Sequence, residues 1–215
     1  TQVRERATLL LAELLGRLPE LPLTAASASR FSAFFASRLG DYPSVVPSLK
    51  ALSALLKNHA PALLETSSAS EGGSSPVGRA EAAGAGGGGA GSAGVIARGV
   101  FEELHLPALS QGIRQAALSV LCALVTERGF REALSSGMGK DFVTGLVGSL
   151  EGEKDPRCLI VGLSALRRTQ EGFTPAVLEE TCEAIFDATA CYFPVTFTPP
   201  PNDPYNISPD ALRTG

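Results

Sequence analysis

The sequence predicts an all-α solenoid of antiparallel helical hairpins, interrupted by one disordered Gly/Ser-rich insertion. Three observations carry this. Apolar residues recur at every third or fourth position through most of the chain, the spacing of one helix face. Basic residues mark the starts of similar helices at a near-constant period. No segment alternates convincingly at period two; the nearest, 194–198, is short and Pro-flanked and reads as extended loop.

The elements follow in order. Residues 3–18 place Val3, Ala7, Leu10, Leu11, Leu14, Leu15 and Leu18 at helical spacing, with Arg4, Arg6, Glu13 and Arg17 between them; Pro19 and Pro22 stop the pattern. A second helix over 24–39 has Thr24 as its N-cap and sets Phe31, Phe34, Phe35 and Leu39 on one face, with Gly40 expected as a left-handed C-terminal glycine. A third over 43–59 turns Val46, Leu49, Leu52, Leu55 and Leu56 inward. Residues 66–94 hold one large apolar residue, Val77, and cannot bury enough surface to offset the entropy of ordering, so they read as disordered. Helical text resumes over 95–104, 110–127, 130–134 and 140–150. Asp155-Pro156 and Thr174-Pro175 each set an N-cap before a Pro at the first helical position, where the missing N–H costs nothing. Ser208-Pro209-Asp210 repeats the device and opens a last helix that the chain cuts off.

The resulting organisation is 1–65 helical hairpins, 66–94 insertion, 95–192 further repeats, 193–209 extended Pro-rich loop, and 210–215 the start of a truncated helix. The basic residues at the starts of four similar helices are Arg4, Lys50, Arg114 and Arg157, with steps of 46, 64 and 43 residues. Removing the 29-residue insertion shortens the long step to 35. This series surrounds the ~40–47 residues of a HEAT or armadillo unit, so the solenoid is HEAT-like or armadillo-like. Such hairpins bury their apolar faces only by stacking, and an Arg or Lys near the start of each inner helix is expected to bond between repeats.

Composition excludes several classes. Leu and Ala, 29 and 30 residues, are over a quarter of the 215-residue chain, as stacked helices require. Ten of 23 Gly fall between Ser67 and Gly94 and six of 15 Pro between Pro194 and Pro209, so neither argues against helix elsewhere. A net charge of −4 gives no electrostatic footprint for direct nucleic-acid binding. Four Cys are too few for a disulfide scaffold, and no apolar run reaches the roughly 18–20 residues of a membrane span. The start at Thr1 suggests a fragment or processed chain.

Catalytic and metal chemistry is not expected. Cys122, Cys158, Cys182 and Cys191 form no close pair, and gathering distant ligands costs chain entropy. The first three read as core thiols, and Cys191 as packing beside an aromatic motif. His59 and His105 have no nucleophile elbow near them, so no enzyme and no cofactor is expected. Gly84, Gly86 and Gly89 fit a dinucleotide fingerprint only within low-complexity text, without a preceding strand. Gly139-Lys140 lacks the upstream Gly of a phosphate loop, and Asn206-Ile207-Ser208 reads as an unused sequon.

The text Gly152-Glu153-Lys154-Asp155-Pro156-Arg157 and the later run Cys191-Tyr192-Phe193-Pro194-x-x-Phe197-Thr198-Pro199-Pro200-Pro201-Asn202-Asp203-Pro204 are long and compositionally unusual. Looser phrases lie at 46–53 and 100–105. In these stretches the chain resembles the amino-terminal HEAT domain of the methyl-methanesulfonate-sensitivity protein nineteen family. The resemblance implies a non-enzymatic adaptor of the cytosolic iron–sulfur protein assembly targeting complex. Its implied partners are a WD-repeat propeller protein, a small domain-of-unknown-function 59 protein, and apo iron–sulfur clients such as DNA helicases and polymerases. The implied setting is cytoplasmic and nuclear, with links to nucleotide-excision repair and transcription. In the family the carboxy-terminal repeats dock the small partner, so this stretch would contribute client contacts or scaffold. A generic interaction solenoid, of the transport-receptor or phosphatase-scaffold type, is the alternative that repeat physics alone allows.

The candidate partner-binding residues are Tyr192, Phe193, Phe197, Pro199, Pro200, Pro201, Asn202, Asp203 and Pro204. Three successive prolines favour an extended backbone at low entropic cost, and the aromatics supply anchors. The competing reading is a loop that folds back over the ends of adjacent hairpins.

Overall fold

A computed structural model describes residues 2–68, 90–193 and 207–214. Eleven α-helices follow one another among these residues, with no strand. They are α1 (Gln2–Arg17), α2 (Ala25–Ser37), α3 (Val45–Asn58), α4 (Ala60–Ser68), α5 (Gly91–Glu103), α6 (Gln111–Thr126), α7 (Arg128–Gly137), α8 (Lys140–Leu150), α9 (Pro156–Gly172), α10 (Pro175–Ala190) and α11 (Pro209–Thr214). Short 3-10 turns, Tyr42–Ser44 and Leu106–Ala108, lead into α3 and α6.

The helices stack in two long rows. One row runs α1, α3, α6, α9, α11, each packed on the next; the other runs α2, α5, α8, α10. The short helices α4 and α7 lie between the rows and touch each other. Two units therefore add a short helix, α4 or α7, to the hairpin, and α4 has no counterpart in the sequence prediction. A single apolar core runs from α1 to α10, as stacked repeats demand. A second, small cluster of Leu159, Ile207 and Leu212 fastens α11 onto α9.

The four helices that carry the periodic basic residues are the first four of the first row. Lys50 on α3 pairs with Glu13 on α1, and Arg114 on α6 with Glu153 ahead of α9, both between repeats. Arg157 instead pairs with Asp155, two residues before it, and Arg4 is exposed.

Several boundaries and faces differ from the sequence prediction. The insertion is shorter than 66–94: α4 reaches Ser68 and α5 begins at Gly91, while 69–89 lie outside the described residues. The small residues at 90–94 are close packing. Ala90, Ala93 and Gly94 are buried, and a Cβ on Gly137 of α7 would overlap the backbone of Ala90. Gly40 does not adopt a left-handed backbone; α2 ends instead in tight bonds from Arg38 N–H to Phe35 and from Leu39 N–H to Ala36. Thr24 caps α2 as expected, accepting the Ser27 N–H at 3.2 Å. Thr174 makes no side-chain cap; its own N–H donates to the Ser135 hydroxyl on α7. On α3 the 3-10 entry turns Val45 inward and leaves Val46 exposed. On α1 the buried face holds Thr8, Ala12 and Leu15, and Val3, Leu10, Leu14 and Leu18 are exposed.

His59 closes α3 as its C-cap, 5% exposed, and its Nε2 has no hydrogen-bond partner among the described residues. Burial pushes its pKa below the ordinary value. The folded chain therefore holds the neutral imidazole, whereas the unfolded chain takes up a proton as pH falls through about 6.5. Stability from this site is fully present above that pH and declines below it. Melting temperature is expected to fall between pH 7.5 and 5.5, and His59→Leu to flatten that dependence. An unchanged slope in the variant would place the effect elsewhere.

Candidate functional site

The turn between α8 and α9 is densely hydrogen-bonded, and it is built from the Gly152–Arg157 text. Gly152 adopts φ +72°, a left-handed conformation that a side chain would strain. This reverses the chain so that Glu153 points back into the stack, 8% exposed. Its carboxylate accepts Arg114 Nε at 2.7 Å and Nη2 at 3.0 Å, a two-pronged pair between successive repeats. It also accepts the backbone N–H groups of Lys154 and Asp155, both at 2.9 Å. The remaining Arg114 fork donates to the Leu109 carbonyl at 2.9 Å. Burial works against the ionised Glu153, but the Arg114 and backbone hydrogen bonds outweigh it and hold the carboxyl below its usual range.

Asp155 then starts α9. Its Oδ1 accepts the Arg157 N–H at 2.9 Å, and the Arg157 guanidinium closes on the same carboxylate at 2.6 Å. Arg157 and the cap hold the Asp155 carboxyl below its ordinary pKa. Cys158, one turn into the helix, is fully buried, and burial pushes its thiol up to about 11. It is a core thiol. Cys122 is half-buried, while Cys182 and Cys191 are exposed, which corrects the core and packing readings of those two. Both lie on α10 or at its end, where only one face meets α8 and α9.

Of the candidate loop residues, Tyr192 and Phe193 are described; Phe197, Pro199, Pro200, Pro201, Asn202, Asp203 and Pro204 lie outside the described residues. Tyr192 is a structural anchor. Its hydroxyl donates to the Leu150 carbonyl at 2.8 Å, joining the Glu153 N–H at 3.0 Å on the last carbonyl of α8. Its ring packs on the Leu159, Ile207 and Leu212 cluster, and burial pushes the phenol up to about 12. Phe193 is 53% exposed. Tyr192→Phe is expected to cost about 1 kcal/mol, the worth of one hydrogen bond. A thermal melt unchanged within error would deny the anchor role.

Around this turn the surface forms three adjoining clefts that share Glu151. One, of 400 Å³, lies between α8 and the α5–α6 connection, with Phe101, Pro107 and Gly148 on its walls. The second, of 220 Å³, lies beside Pro107, Arg114 and Lys154. The third, of 340 Å³, lies between α8 and the end of α10, bounded by Val147, Ala188 and Tyr192. All three lie along α8. Sequence reasoning missed them, because their walls come from residues between 101 and 192 that only stacking brings together. It also missed the Arg114–Glu153 pair, whose partners are 39 residues apart. The signal that could have found that pair is the periodic Arg114 itself, read together with a lone acid inside a turn.

The comparisons with known proteins come to bear on this geometry. A family model, MMS19_N, described as Dos2-interacting transcription regulator of RNA-Pol-II, matches residues 1–215. The MMS19 nucleotide excision repair protein homolog of Dictyostelium discoideum is 29% identical over 212 residues, 98% of this chain and 16% of that protein. The mouse protein of the same description is 36% identical over 118 residues, 54% of this chain and 11% of that protein. The DNA repair/transcription protein mms19 of Schizosaccharomyces pombe is 28% identical over 201 residues, 93% of this chain and 16% of that protein. The chain thus spans only a small part of the length of these relatives.

Proposed function

This chain belongs to the MMS19_N family, and from that premise we propose that it is part of a non-catalytic scaffold acting in DNA repair and transcription. The finer reading is an adaptor of the cytosolic iron–sulfur assembly targeting complex, one that helps deliver clusters to apo-proteins such as DNA helicases and polymerases. The observation that carries the proposal is the family match over residues 1–215. A stacked-repeat architecture with adjoining clefts along α8 supports it, since such surfaces suit extended contact with other proteins.

On this reading the chain works by geometry. The Arg114–Glu153 pair and the Asp155 cap fix the pitch between repeats, and so fix the clefts around them. Phe193, just past the end of α10, offers an exposed ring. Its partners would be the WD-repeat propeller, the domain-of-unknown-function 59 protein and cluster-binding clients, in cytoplasm and nucleus. Purification of the full-length protein from cells, read by mass spectrometry, tests this. Recovery of the propeller protein and cluster-binding clients is expected; their absence would overturn the adaptor reading.

The Phe193 contribution is separable from folding. Exposed side chains away from caps and pairs change stability by no more than about 0.5 kcal/mol. Phe193→Ala is therefore expected to leave the melting temperature unchanged while lowering client recovery. A loss of recovery that only follows a loss of stability would end the docking role.

A further inference from the structure

The three clefts at the 150–154 turn differ in charge. The α8–α10 cleft has an apolar floor of Val147 from α8 and Ala184 and Ala188 from α10, with Tyr192 at one end. Its rim carries two exposed carboxylates, Glu151 and Asp187, and neither has an ion pair among the described residues. No Lys, Arg or His lines it. Glu180 and Glu183 extend the negative charge along the exposed side of α10, which holds four carboxylates and no basic residue. The sequence continues this bias: the 44 residues from 169 to 212 contain seven Asp or Glu and no Lys or Arg, although the whole chain is only −4. The neighbouring cleft differs, since Arg114 and Lys154 both line it.

We propose that the α8–α10 cleft receives an arginine side chain presented by an extended segment of a partner protein. The fit is one of charge and shape together. An arginine buries its aliphatic stem while keeping its head near water, which suits a small-residue floor between polar rims. Its planar guanidinium carries five N–H donors in a fixed fork and can serve two carboxylates at once, whereas a lysine ammonium is a single point charge. Unpaired rim carboxylates also draw a cationic segment in during encounter. The inference does not rest on the adaptor role proposed above; peptide binding and recovery of cellular partners are separate readouts and can fail separately.

The test is fluorescence anisotropy with the full-length protein and three fluorescein-labelled twelve-residue peptides, alternating Arg-Ala, Lys-Ala and Glu-Ala. The Arg peptide is expected to bind, the Lys peptide several-fold more weakly, and the Glu peptide not at all. Asp187→Lys is expected to weaken Arg-peptide binding at least tenfold, and Ala184→Trp, which fills the floor, to abolish it. Both positions are exposed, and thermal melts confirm that the variants remain folded. Unchanged affinity in both variants would place the binding elsewhere and overturn the proposal. Equal affinity for the Lys peptide would overturn the arginine assignment, and no binding would overturn both. Self-association abolished by Asp187→Lys, without peptide binding, would assign the cleft to a second copy and also overturn it.

Discussion

Replacing Phe142 by Ala is expected to destabilise the chain by about 4 kcal/mol, the cost of truncating a fully buried aromatic side chain. Phe142 of α8 is 0% exposed and sits between two other rings, Phe101 of α5 at 5.7 Å and Phe173 after α9 at 5.6 Å. Those rings belong to neighbouring repeats, so the cavity would open at a junction. Close approach elsewhere makes collapse difficult: Gly145 already lies against the Phe101 ring, and Gly99 meets the α2 backbone at Ala36. At about 2–4 °C per kcal/mol for a chain of this size, the melting temperature should fall by at least about 8 °C. A fall of only a degree or two would mean that the junction repacks and that the three rings do not hold the repeats together.

Removing one partner of the Arg114–Glu153 pair is the second large effect. Arg114→Ala leaves the Glu153 carboxylate buried beside two backbone N–H groups with its charge unmatched. Breaking a buried ion pair in this way costs about 3–5 kcal/mol. The sign of the accompanying pH dependence follows from the lowered Glu153 pKa. The unfolded chain binds the proton first on acidification, so the stabilisation is present above the ordinary Glu value of about 4.3 and is lost as pH falls towards the folded value. Urea denaturation at pH 7 and pH 3.5 checks both points. The wild type should lose stability between them by more than Arg114→Ala does. Equal losses would show that the pair is not the source.

What the sequence made legible follows from where the governing contacts lie. The α8 boundaries at Lys140 and Leu150 match the apolar period, and α9 starts where Asp155-Pro156 places it, because caps and faces are local features. The row α1, α3, α6, α9 was visible through its periodic basic residues before any contact was known. Elements set by neighbours were not. Leucines occupy both sides of α1, and only packing on α3 decides that Leu15 is buried and Leu14 exposed. Helix α4 was missed because it is nine residues long with a proline in its first turn. Ala90–Gly94 looked like low complexity because residues small enough to let helices touch have the same composition as residues with nothing to bury. Of the candidate site, Tyr192 and Phe193 were read alike, but Tyr192 is held by the Leu150 carbonyl 42 residues away while Phe193 is exposed.

The role proposed for this solenoid is iron–sulfur cluster delivery. Radioactive iron incorporation into a cluster-binding DNA helicase, immunoprecipitated from cells depleted of the full-length protein, tests it most directly. Incorporation is expected to fall on depletion, while the helicase itself is still made, and wild-type protein is expected to restore it. Undiminished incorporation after complete depletion would contradict it.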